Sequence, residues 1–162
     1  MGHLLFILTL LLPINPSKEL IEMRDHFHHA IKDEKAANSL ESSLSQISEK
    51  TSTQQGYEGA NKMILAKYAT LPTRKYSLYV NGKTLLETAI SKDPENIELI
   101  YLRFIIQTNS PSFLGYNQNL GSDRAFLLEH TKALTDKDLK TRISTFLVIE
   151  GKLSEAERKK LQ

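Results

Sequence analysis

The densest clustering of chemistry-bearing side chains is Asp25-His26-Phe27-His28-His29. On a helix His26 and His29 stand three residues apart and Asp25 and His29 four apart, so two imidazoles and a carboxylate share one side, a donor set that suits zinc or copper. That reading names His26, His29 and Asp25 as metal ligands, with His28 in the same cluster. The competing reading is a solvated polar face flanking Phe27, which lies in register with Leu20 and Ile31. No HExxH pattern accompanies the cluster.

Other routes to catalysis find little footing. The chain has no cysteine, which excludes thiol nucleophiles, disulfides and Cys-ligated zinc. There is no GxSxG elbow, and His130 has no partner nearby in sequence. Asn81-Gly82-Lys83-Thr84 shares only the ending of a phosphate-binding loop and lacks its upstream glycines. No cofactor is expected, and the reading disfavours an enzyme. The remaining candidates are binding residues. Asn109 to Gly121 (NSPSFLGYNQNLG) is the longest irregular segment, yet it carries Phe113, Leu114, Tyr116 and Leu120. Such a loop is either packed down or used for contact. Phe113, Leu114 and Tyr116, with Arg103 from the preceding apolar helix, form the candidate partner-binding set. Arg103 is expected to be partly enclosed, paired with a carboxylate or facing a ligand.

The elements that must position these residues are helical. Val80 and Val148 are the only valines, and apolar residues recur at three- and four-residue spacing. Helices are expected over Ser17 to Lys32, with Ser17 as cap, and over Asp33 to Glu49, with a narrow stripe at Ala37, Leu40, Leu44 and Ile47. The polar KTSTQQ stretch, Lys50 to Gln55, reads as a loop before a third helix marked by Tyr57, Ala60, Ile64, Tyr68 and Leu71. Pro72 to Ser91 forms a long helix with Tyr76, Tyr79, Val80, Leu86, Ala89 and Ile90 inward. Gly82 either breaks that helix or admits another backbone. Asp93 and Pro94 read as N-cap and first residue of helix five. Its IELIYLRFII run is apolar around most of its circumference, so Glu95 to Gln107 is expected to be the most buried element. Further helices start at Ser122, at Thr135-Asp136-Lys137-Asp138 and at Ser154, the last carrying Glu157 three residues on.

With 162 residues, 25% charged and 40% hydrophobic, the chain has the composition of one globular domain. Lys and Arg total 21 against 19 acidic residues, too even a balance for a dedicated nucleic-acid binder. Leu4 to Leu12 (LLFILTLLL), stopped by Pro13, is too short to span a bilayer and reads as the core of a signal peptide over residues 1–17. A buried N-terminal element and a membrane anchor are the alternatives. Residues 18–162 then form a single all-helical domain, exported to the periplasm or beyond, with no stable membrane span after cleavage.

Gly82, Leu86, Ala89 and Pro94 place a small residue, a large apolar one, alanine and proline at offsets that resemble the second half of a tetratricopeptide repeat. The first half departs from that pattern, with Ala66, Ala69 and Thr70 where the family's aromatic and Leu-Gly pair would stand. The resemblance covers about 25 residues and implies antiparallel helix pairs in a compact bundle or short solenoid. Separately, DPENIELIYLRF through PSFLGYNQNLGSD is similar to small exported proteins of Bacteroidota, a likeness that brings no activity with it. The expected function is a cell-envelope module binding a protein or peptide partner. A small exported metal-binding protein or enzyme using His26, His28 and His29 is the alternative, and a structural or inhibitory factor the third reading.

Overall fold

The computed structural model describes residues 17–151 and 153–161. The expected signal peptide lies outside the described residues, except for Ser17. Among the described residues there is no strand, and eight α-helices follow one another. They are α1 (Lys18–Ala30), α2 (Glu34–Ser45), α3 (Ser52–Tyr68), α4 (Pro72–Lys92), α5 (Ile97–Asn109), α6 (Leu120–His130), α7 (Lys137–Ile149) and α8 (Glu155–Lys160), with short 3-10 turns at Ser112–Leu114 and Thr131–Ala133. No described helix is long and apolar enough to cross a membrane.

Side-chain caps set most of the starts. Ser17 accepts from the Leu20 amide, and Asp33 from Lys35. KTSTQQ is not a loop throughout: Thr51 and Gln54 form a reciprocal capping box, so α3 starts at Ser52 and polarity there is the polarity of a helix entrance. Helix five also starts later than expected. Asp93 closes α4, and it is the Asn96 side chain that accepts from the Glu98 and Leu99 amides. Asp136, not Thr135, caps α7 by accepting from Leu139, and α6 begins at Leu120 rather than Ser122. Ser154 and Glu157 make the expected capping box.

The core is centred on α5, where every residue from Glu98 to Gln107 is buried. Helices α3, α4 and α6 pack against it. Its apolar side chains join Phe27 from α1, Leu40 and Leu44 from α2, Tyr57 from α3, Leu86 from α4 and Ile143 and Leu147 from α7 in one cluster. Helix α4 runs unbroken through Gly82, whose backbone lies against Gly59 and Met63 of α3. Tyr76 and Val80 do not point inward. Tyr76 is 72% exposed, because the face of α4 that meets the protein is the one carrying Gly82, Leu86 and Ala89.

Candidate functional site

The α5–α6 connection is a built structure rather than a slack loop. Asn109 and Ser110 side chains donate to the Ile105 and Ile106 carbonyls and close off α5. After Pro111 the chain makes one 3-10 turn, fixed by Leu114 N–H to the Pro111 carbonyl and Gly115 N–H to Ser112. Gly115 then adopts φ 61°, a left-handed conformation that costs glycine little, and the chain reverses so that Tyr116 drops into the core at 2% exposure.

Below the turn, Tyr116 is fastened by a charged relay. Its hydroxyl donates to Glu87 of α4, and its ring meets Tyr79 edge-on with Lys83 Nζ 4.8 Å from the ring centre. The other Glu87 oxygen accepts from Arg103 at 3.0 Å, and Arg103 forks onto Asp123 of α6 at 2.8 and 2.7 Å. Burial and the bond to Glu87 both push the Tyr116 hydroxyl well above its ordinary pKa. Burial alone would lower the Arg103 pKa, but its bonds to Asp123 outweigh this and raise it. The relay ties α4, α5 and α6 to a single residue of the connection.

The four residues expected to bind a partner therefore divide. Arg103 and Tyr116 are enclosed with their polar atoms engaged inside the fold, so neither offers a contact surface. Phe113 is 84% exposed and Leu114 38%, both on the 3-10 turn that Tyr116 and Gly115 hold in place.

The histidine cluster assembles no site. His26 and His29 are exposed on α1, and Asp25 is taken by Arg142 of α7 at 2.5 Å. Among the described residues no group of three or more His, Cys, Asp or Glu side chains is placed to hold a metal ion. His28 instead packs half-buried with its ring beside Phe27 and Tyr101.

A second buried charge centre, absent from the expectations, sits beneath this cluster. Arg24 is 1% exposed and forks onto Glu98 at 2.8 Å from both Nε and Nη2, while also reaching Asp136 at 2.8 Å and Asp138 at 2.9 Å. Tyr57 donates to the same Glu98 at 2.7 Å, and Arg142 pairs with Asp138. One arginine thus joins α1, α5 and the entrance of α7. Its sequence signal was its place in the stripe: Arg24 lies four residues after Leu20 and three before Phe27, where a charge must be enclosed.

The centre predicts an acid-sensitive fold. Burial, and then the Arg142 charge, hold His28 below its ordinary 6.5, outweighing Asp25 and Asp138. Burial alone would raise Asp138, but hydrogen bonds from Arg142 and Arg24 take it below 3.8. Both groups bind protons more weakly folded than unfolded, so both contributions are complete above the unfolded values and are lost as pH falls through the folded ones. Denaturation midpoints should hold above pH 6.5, decline below it as unfolded His28 protonates, and decline further below 3.8 through Asp138. His28→Gln should remove the upper decline and keep the lower; identical midpoints in wild type between about pH 7 and 5 would contradict the assignment. No protein-family model, curated protein or solved structure matches this chain.

Proposed function

We propose that the chain is an exported helical interaction module of the cell envelope that captures a protein or peptide partner through Phe113 and Leu114. The observation that carries the reading is the exposed aromatic on a turn that is itself fastened. An 84% exposed Phe113 above the partly buried Tyr116–Glu87–Arg103–Asp123 relay is held ready for contact, so little ordering entropy remains to be lost on binding. Aromatic anchors of this kind dominate interface energetics.

Export is supported by the Leu4 to Leu12 run with Pro13 after it. The α3–α4 hairpin, with Gly82, Leu86 and Ala89 buried at its contact and Pro94 beyond it, supports reading this part as tetratricopeptide-like, an architecture whose surfaces commonly receive peptides.

Phe113→Ser with Leu114→Ser tests the reading. The double variant should keep the wild-type melting temperature, because neither side chain is buried, and should lose a partner that the wild-type protein retains from native envelope. A lowered melting temperature would make the turn a structural plug. Undiminished capture would place the contact elsewhere.

A further inference from the structure

The last turns of α5 enclose a polar side chain that the protein does not pair. Gln107 is 2% exposed, and neither its Nε2 nor its Oε1 finds a hydrogen-bond partner among the described residues. An amide enclosed with both ends unpaired is costly, and buried polar groups in folded proteins are satisfied by protein or by ordered water. Protein partners run out close by. Gln107 stands one turn beyond Arg103 on the same face of α5. The guanidinium nitrogens there are taken by Asp123 and Glu87, both Asp123 oxygens lie in that fork, and the second Glu87 oxygen holds Tyr116. Further along, Asn109 and Ser110 turn their side chains back onto the Ile105 and Ile106 carbonyls.

A second unpaired group lies at the same end. Helices α4 and α5 run antiparallel across the Glu87–Arg103 pair, so moving back along α4 from Glu87 leads on along α5 past Gln107. There the Tyr79 hydroxyl faces Ser110 without making a hydrogen bond to it, and its oxygen is enclosed. The Tyr79 ring meets Tyr116 edge-on, so the connection closes over this end.

The chemistry of these groups says what they hold. The amide offers donors and an acceptor, and the hydroxyl offers one of each. An ion does not suit them, because a neutral amide and phenol would not replace its hydration. A cation would also sit near the Arg103 guanidinium, and an anion near the Glu87 and Asp123 carboxylates. A small neutral molecule that both donates and accepts satisfies every unpaired atom.

We propose that the end of α5, beneath the α5–α6 connection, is a binding site for internal water held by the Gln107 amide and the Tyr79 hydroxyl. Two to four polar partners are what keep a water in an otherwise apolar interior. The site goes beyond the partner reading and is independent of it: the water is part of the support on which the connection rests.

Nuclear magnetic resonance on the ¹⁵N-labelled full chain reads the site directly. The Gln107 side-chain amide protons should give laboratory- and rotating-frame Overhauser cross-peaks to water with the signs of a long-lived contact, and those of the exposed Gln46 should not. Methionine matches glutamine in length but cannot bond to the water as the amide does, so Gln107→Met should lower the melting temperature by about 2 to 4 °C. Tyr79→Phe should lower it too, and by less in the Gln107→Met background than in wild type, because both losses fall on the same water. An amide that simply went unpaired would behave in the opposite way, its replacement by methionine being stabilising. A melting temperature at or above wild type for Gln107→Met overturns the proposal. So does a Gln107 amide without a water cross-peak, or strict additivity of the two variants.

Discussion

Replacing Arg24 with methionine is expected to destabilise the fold by about 3 to 5 kcal/mol, the cost of leaving one side of a buried ion pair without its partner. Methionine keeps most of the side chain's apolar stem, so the loss reports the charge rather than a cavity. The residue left most exposed to that loss is Glu98, buried on α5 with its carboxylate receiving two Arg24 bonds and the Tyr57 hydroxyl. Asp136 and Asp138 suffer less, because Asp136 also caps α7 and Asp138 keeps Arg142. Adding Glu98→Gln to Arg24→Met should recover part of the loss, since it removes the carboxylate that methionine strands. Urea unfolding of the two single variants and the double variant gives the coupling directly. A single-variant loss below about 1 kcal/mol, or strict additivity, would mean that the pair is not a joint of the core.

Where the fold was legible from sequence, apolar side chains announced it. The IELIYLRFII run marks α5 because a helix buried all round needs apolar residues all round, and its burial is nearly complete. Legibility failed where burial was marked by something other than an apolar side chain. On α4 the visible stripe ran through Tyr76 and Val80, while the face against α3 is built around Gly82, which adds nothing to a hydrophobic pattern. The Arg24 centre was hidden in the same way, as a charge inside an apolar stripe whose partners lie 74 and 114 residues away. Caps erred by a few residues because Asp93, Asn96, Thr135 and Asp136 are all competent caps, and tertiary packing chooses among them. In the candidate site, the residue types of Phe113 to Tyr116 pointed to a connection with a task. Only the fold separates the inward Tyr116 from the outward Phe113, since alternate members of an irregular segment carry no periodicity from which to read a face.

The close backbone approach of α3 and α4 yields the second large effect. Gly59 of α3 and Gly82 of α4 lie back to back. A Cβ on Gly82 would stand 2.5 Å from the Gly59 carbonyl oxygen and 2.9 Å from the Met63 nitrogen; one on Gly59 would stand 2.6 Å from both the Gly82 oxygen and the Leu86 nitrogen. These obstacles are backbone atoms within helices, which cannot turn aside as a side-chain tip can. Alanine favours an isolated helix over glycine by about 1 kcal/mol, so propensity alone predicts that Gly82→Ala stabilises. The contact predicts the reverse. Separating α3 from α4 strips packing from Met63 and Leu86 together, and overpacking in a close-packed core costs about 1 to 3 kcal/mol or more. Set against the propensity gain, a net destabilisation of about 2 kcal/mol is therefore expected for Gly82→Ala, with Gly59→Ala similar. The double variant should cost clearly less than the sum, because once the helices are apart the second methyl finds room. Thermal unfolding of the three variants distinguishes the two forces. A melting temperature at or above wild type for Gly82→Ala would show that helix propensity prevails and that the two helices are not in contact through their backbones.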